Sequence, residues 1–306
     1  MNYLEIYQAI QDYSENTEAL FVQNIPRFVK EAEDRIYNSV QIPALRKNVT
    51  GSLTAGNTYL SAPNDYLSTY SLAVIDATGT YNYLLNKDVN FIREAYPGPS
   101  YQALPQYYAL FGPNYSNLNE LSFILGPTPD ANYGVELHYF YYPVSIVQGV
   151  ITTLNTLVAG TGYTPGTYEN VALIGGSGSG ALATIKITGS GVTSVTVVNG
   201  GSQYVVGDIL SAASSSIGNS GSGFSITVNG INNADGTSWL GDNYDPVLFY
   251  GAMREAMLFM KGEQDLVTYY EQKYQEALMQ LKRLGDGLER NDAYRRGQTS
   301  LEYNKL

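Results

Sequence analysis

Apolar positions at the start of the chain recur at helical spacing. Tyr3, Leu4, Ile6, Tyr7, Ile10 and Tyr13 share one side of a stretch that stops at the polar break Ser14-Glu15-Asn16-Thr17, so a first helix is expected over 3–13. A second follows over about 18–40, with Phe21, Ile25, Phe28, Val29, Ala32, Ile36 and Val40 as its face and a kink or fresh start at Pro26. Glu31, Glu33 and Asp34 point away from that face and are expected to be solvated. From Ala44 to Ile146 the pattern becomes one of short strands between turns. Segments 49–53 and 58–60 flank a hairpin-like turn, Thr54-Ala55-Gly56-Asn57, and further strands are expected at 70–75, 90–95, 121–125 and 135–141. Pro97-Gly98-Pro99 and Gly126-Pro127-Thr128-Pro129 punctuate them. The pattern predicts a β meander, not the alternation of a doubly wound nucleotide-binding fold.

A Gly-rich block over 149–230 then repeats itself. Gly160-Thr161-Gly162-Tyr163-Thr164-Pro165-Gly166 matches Gly201-Ser202-Gln203-Tyr204-Val205-Val206-Gly207 at an offset of 41, and Gly178-Ser179-Gly180 finds its echo in Gly221-Ser222-Gly223. Alternating strands follow both echoes, Thr184-Ile185-Lys186-Ile187 and Ser225-Ile226-Thr227-Val228. Such repetition predicts β units that share a core.

Helical spacing returns after the block. Asp245-Pro246 reads as an N-cap with Pro at the first helical position, and Gly262 as the end of that helix. The last helix, over about 265–284, is expected to bury Leu266, Tyr270, Tyr274, Ala277, Leu278 and Leu281 and to break at Gly285-Asp286-Gly287. The fold class is α+β: a helical bundle formed by N- and C-terminal helices around a β-rich middle, plus an inserted all-β domain. The expected domains are a core of 1–148 with 231–290, an insert of 149–230 and a tail of 291–306.

Composition narrows the chemistry. There is no Cys and one His, His138, in 306 residues, which leaves little for thiol, zinc or imidazole catalysis. His138 reads as a structural histidine. Gly176-Ser177-Gly178-Ser179-Gly180-Ala181 fits a dinucleotide fingerprint formally, but a strand follows where that fingerprint needs a helix. No catalytic, cofactor-binding or metal residue is assigned, and no enzyme activity is expected. Seventeen basic against 28 acidic residues give a net charge of -11, which disfavours gripping nucleic acid. No secretory leader or membrane span is read, so the sequons at Asn48 and Asn114 carry no expectation of glycosylation. Tyr supplies 28 residues against 9 Phe and 1 Trp, a bias that suits either strands or half-wet interfaces. Trp239 is expected at the junction core. In the tail, Tyr294, Arg295 and Arg296 with Leu301, Tyr303 and Leu306 form the kind of segment that orders on a partner.

Five stretches stand in an order that resembles the head-to-tail adaptor (connector) proteins of tailed bacteriophages. They are 25–36 (IPRFVKEAEDRI), 59–67 (YLSAPNDYL), 105–110 (PQYYAL), 125–139 (LGPTPDANYGVELHY), and 250–256 (YGAMREA) followed by Lys261-Gly262 and Tyr269-Tyr270-Glu271. The resemblance covers 1–146 and 239–290, and the Gly-rich insert departs from it. It implies a virion neck protein, made in the host cytoplasm, that forms a homo-oligomeric dodecamer ring under the portal protein. It further implies that the ring extends the DNA channel without specific DNA binding and offers a platform to the next tail or neck component. The six tail residues are then the expected portal contacts. The alternative is a neck or tail binding module whose insert recognises a fibre protein or glycan.

Overall fold

The computed structural model describes residues 1–98, 100–114 and 117–296, with side chains described outside 114, 117–120 and 286–296. Two compact units emerge: Met1–Val40 with Val144–Gly287, and Gln41–Pro143. Secondary structure is mixed, with six helices and three sheets among the described residues.

Helix α1 (Tyr3–Ser14) starts with a capping box, in which Asn2 accepts from the Glu5 N–H at 3.0 Å and Glu5 accepts from the Asn2 N–H at 2.9 Å. Helix α2 (Ala19–Ser39) runs through Pro26 without a new start. Its buried face contains every apolar residue expected between Phe21 and Ile36, together with Glu33 and Tyr37.

The second unit is built from β1 (Arg46–Leu53), β2 (Tyr59–Ser61), β3 (Tyr66–Ile75), β4 (Tyr81–Tyr83), β5 (Leu85–Asn86), α3 (Val89–Ala95), β6 (Tyr107–Asn114), β7 (Asn117–Gly126) and β8 (Tyr133–Tyr141). The strands form two four-stranded sheets, ordered β1-β8-β3-β4 and β2-β7-β6-β5. Leu72, Val74, Val135 and Leu137 from the first sheet meet Phe123, Leu125 and Tyr108 from the second in a common core.

Three expectations fail here. The order is not that of a meander. The 49–60 hairpin does not form, because β1 pairs with β8 and β2 with β7; the intervening turn is instead tied to 129–132 through Gly56 N–H to Pro129 O at 2.8 Å and Ala55 N–H to Asn132 Oδ1 at 2.9 Å. Segment 90–95 is helix α3, not a strand: Asp88 caps it by accepting from Asn90 N–H at 2.7 Å. Ile92 of α3 packs on Ala109 and Ile124, and a Cβ on Gly126 would stand 2.8 Å from Ile92 Cγ2. Tyr115 and Ser116 of the second sequon lie outside the described residues.

The Gly-rich block folds as β9 (Val150–Thr161), β10 (Gly166–Gly175), β11 (Ser179–Thr188), β12 (Gly191–Ser202), β13 (Ile209–Ala212) and β14 (Ser222–Asn232). They make one sheet in the order β12-β11-β10-β13-β14-β9. Exchanging β9, β10 and β11 with β12, β13 and β14 reverses that order and leaves it unchanged, so the sequence repeat is also a structural one. The first strand of each repeat pairs with the third strand of the other, β9 with β14 and β12 with β11, which interlaces the two halves. The sheet rolls until its ends meet: a Cβ on Gly200 of β12 would collide with the backbone of Ile151 in β9, and one on Gly191 would lie 3.1 Å from Gly160 O.

Two equivalent devices hold the halves. Tyr163 accepts the Phe224 N–H at 3.2 Å and its ring lies against Gly221, while Tyr204 accepts the Ala181 N–H and its ring lies against Gly178. Each glycine is needed because a Cβ there would enter the ring.

Helices α4 (Trp239–Asn243), α5 (Asp245–Phe259) and α6 (Gln264–Arg296) close the chain. Trp239 is half-buried at the start of α4. Asp245 is the first helical residue, with Tyr244 in the cap position, and Lys261 rather than Gly262 takes the left-handed conformation after α5. The helices of the two chain ends pack on each other. A Cβ on Gly251 of α5 would sit 3.0 Å from Ala32 Cβ of α2 and 3.3 Å from the Tyr274 ring of α6, and Tyr13 of α1 meets Phe249 edge-on at 5.1 Å. Leu266 is exposed, contrary to expectation, whereas Tyr270, Tyr274, Ala277, Leu278 and Leu281 are buried. Gly285 and Gly287 do not break α6; each costs a helix only about 1 kcal/mol relative to Ala, and Leu284 and Leu288 flank them.

Candidate assembly surfaces

The most unusual polar group is Glu33, expected on the solvated side of α2 and found 1% exposed. Ser145 Oγ donates to it at 2.5 Å and the Ile146 N–H at 2.8 Å. Val147 N–H in turn donates to Ser145 Oγ at 3.2 Å. The carboxylate therefore ties α2 to the chain where it re-enters the helical unit. Burial pushes the Glu33 carboxyl from its ordinary 4.5 up to about 7; the hydrogen bonds from Ser145 and Ile146 and the charge of Lys30 oppose the rise, and Asp34 adds to it. Helical periodicity could have flagged Glu33, since it sits one residue from Ala32 and three from Ile36. Its neighbour Glu31 is a surface partner of Arg27 at 2.7 Å.

A row of charges crosses the helices. Glu255 of α5 receives Arg35 of α2 at 2.6 Å and Arg254 at 2.7 Å, and Arg254 also pairs with Glu271 of α6. Partly buried pairs of this sort contribute more to register than to net stability. From this anchored part, α6 continues to Arg296. Tyr294, Arg295 and Arg296 therefore lie in its last turns, where only the backbone is described. Leu301, Tyr303 and Leu306 lie outside the described residues.

In the second unit, Lys47 reaches Asp65 at 2.7 Å and lies 3.9 Å from the centre of the Tyr141 ring. Burial acts against the charge on Asp65, but hydrogen bonds from Lys47 and Tyr139 outweigh it and hold its carboxyl below the usual range. Burial and the Asp65 carboxylate together push the Tyr139 hydroxyl up to about 12. His138 faces outward with Glu136 at 2.6 Å. Beside α3, a cavity of about 200 Å³ has Ile92, Ile124 and Leu125 as its floor, with Tyr59, Tyr96 and Arg93 around it.

Tyrosine serves both uses considered from composition. Tyr3, Tyr204 and Tyr274 are fully buried, while Tyr13, Tyr81, Tyr83 and Tyr101 are exposed. The dinucleotide-like run does not cradle a phosphate. It connects β10 to β11, and its Ser177 N–H and Oγ both donate to Asp208, at 3.0 and 2.6 Å. Among the described residues no helix is long and apolar enough to cross a membrane.

The chain thus combines packed helices from its two ends, a two-sheet body with exposed tyrosines and a rolled sheet closed on itself. The family model of the SU10 adaptor protein matches residues 1–172, more than half of the chain's 306 residues, and the chain belongs to that family. It is thus a bacteriophage adaptor, a structural component of the virion. The match takes in α1, α2, the second unit and the start of the rolled sheet. No curated protein matches the chain.

Proposed function

We propose that the protein is a non-catalytic head-to-tail adaptor at the virion neck: a closed ring beneath the portal, twelve copies by the resemblance to phage connectors, that prolongs the DNA channel and receives the next tail component. Membership of the SU10 adaptor family carries this reading. The net charge of -11 suits a conduit along which DNA slides without being held. Helix α6, anchored at Glu271, Tyr274 and Leu281 and extending to Arg296, is suited to carry the tail toward the portal. Tyr294, Arg295, Arg296, Leu301, Tyr303 and Leu306 are the proposed contacts. Deleting the chain after Gly287 leaves the core of the helical unit in place and is expected to abolish binding to purified portal rings; undiminished binding would remove the tail from this role.

A second reading gives the rolled sheet a binding function of its own, toward a fibre protein or glycan. It is favoured by Val205, Val206 and Ile209, all exposed. The ends of the insert meet, with Gly149 N–H donating to Asn232 O at 3.2 Å, so 149–230 can be replaced by a short linker. Particles that assemble necks normally but lose fibres or host attachment would support this reading.

A further inference from the structure

The sheets differ in how their ends are managed. The rolled sheet closes β12 onto β9, and the β2-β7-β6-β5 sheet ends in strands of three and two residues. The β1-β8-β3-β4 sheet also ends in three residues at β4, but its other end is the eight-residue β1. Among the described residues β1 pairs with β8 alone, over eight residues and without a register shift. An open edge of this length is a template for another strand, and proteins normally blunt it with a bulge, a proline or a projecting lysine. β1 has no bulge and no proline, and its Lys47 is occupied by Asp65 and Tyr141.

Its inner side is open as well. Lys47, Val49 and Gly51 stand opposite Tyr139, Leu137 and Val135 in the ladder. Those three partners are buried, yet Val49 is 39% exposed and Lys47 and Gly51 are exposed. Among the described residues β1 thus has no neighbour at its edge, and its core-facing side is covered only at its end, where Leu53 is buried.

The other end of the same sheet is open too. Among the described residues the three-residue β4 pairs with β3 alone, and its Tyr81 and Tyr83 are 48% and 70% exposed. Every neighbour in this sheet is antiparallel, so β1 and β4 run in opposite directions. The β4 of a second copy in the same orientation therefore continues the ladder antiparallel to β1.

We propose that β1 of one copy pairs with β4 of the next, making a sheet that runs from subunit to subunit. The contact is head-to-tail because it uses two different ends of one sheet, and such contacts propagate until rotation closes them into a ring. Across the ladder Thr50, Glu136, Ala73 and Tyr83 stand in one row and Ser52, Gly134, Ile75 and Tyr81 in another, so an unstaggered neighbour brings Tyr83 opposite Thr50, two residues from Asn48, and Tyr81 opposite Ser52, two residues from Thr50, all on the outer face. No acidic residue occurs between Arg46 and Asn64, so the edge presents no like charge to a chain that is acidic overall. The inference rests on the ring reading above and names its joint.

The chain has no cysteine, which allows a direct test. Full-length N48C, Y83C and N48C/Y83C proteins are mixed with portal rings and treated with a short bis-maleimide long enough to bridge a two-residue slip. T50C/Y81C serves as a second pair, and circular dichroism checks the fold of each variant. The double variants are expected to give a ladder of dimers, trimers and higher bands on a denaturing gel, while the single variants stay monomeric. Absence of the ladder in both pairs overturns the joint, as does dimerisation of N48C alone, which would mean β1 against β1. Light scattering on the same samples separates the two readings. Portal complexes of fixed mass without the ladder sink the joint and leave the adaptor reading standing, whereas a ladder without portal binding does the reverse.

Discussion

The Glu33 clamp yields the sharpest prediction, because burial and titration work against each other there. The gap between 4.5 and about 7 corresponds to about 3 kcal/mol, a large share of the roughly 5–15 kcal/mol that holds a domain together. The folded state raises the pKa of an acid, so it binds more protons than the unfolded chain between these two values. The stability contributed by the protonated, buried carboxyl is present below pH 4.5 and is lost as pH rises to about 7. Replacing Glu33 by Gln removes the titration while keeping an acceptor for the Ile146 N–H and providing a donor toward Ser145 Oγ. Urea unfolding of wild type and E33Q should therefore give similar stabilities near pH 5. Toward pH 8, E33Q should become the more stable by up to about 3 kcal/mol. A difference between the two proteins that is the same at pH 5 and pH 8 would refute the reasoning, and would mean that the carboxylate is charged in the folded protein throughout. Glu33→Ala is expected to destabilise by about 1–3 kcal/mol near pH 5, because the buried Ile146 N–H loses its acceptor, and the deficit shrinks toward pH 8, where wild type alone loses the stability of the protonated carboxyl.

Two further substitutions probe the packing. Gly178→Ala and Gly221→Ala each drive a methyl into a tyrosine ring; each should cost about 1–3 kcal/mol and lower the Tm, Gly221→Ala the more because its φ of 85° also strains Ala, and an unchanged Tm at either would undo the close approach. Gly251→Val should destabilise by about 1–3 kcal/mol in urea unfolding, since it inserts bulk where α2, α5 and α6 meet, and an unchanged midpoint would contradict that close approach.

Much of this was legible in the residue pattern where one face is cleanly buried. α2 was recovered almost residue for residue, because its face alternates at helical spacing over five turns. The repeat was visible through Gly160, Tyr163, Gly201 and Tyr204, whose structural demands are local. Its interlacing was not, because nothing in a strand's own residues says which distant strand will pair with it. The 49–60 hairpin failed for the same reason: the turn residues suit a hairpin, but the long-range pairings of β1 and β2 override them. α3 was hidden by its β-favouring Val89, Phe91 and Ile92, although Asp88 before them was a usable cap signal. Glu33 escapes the pattern because a carboxylate on the margin of an apolar face ordinarily reaches water, whereas here the Ser145 hydroxyl and the Ile146 N–H take water's place. Gly285 and Gly287 read as a break, but a long helix absorbs two glycines at about 1 kcal/mol each. The resemblance to phage adaptors was carried by short stretches spread over both units, and the family match confirms it over residues 1–172. The proposed portal contacts rest on that resemblance and on the direction of α6.

The central claim is that this chain is an adaptor that assembles beneath a portal, and the most direct test is its mass in solution. Light scattering on the purified protein, alone and after mixing with portal rings, should show a portal complex heavier by a fixed whole number of copies. A protein that leaves the portal peak unchanged at every ratio would contradict the account.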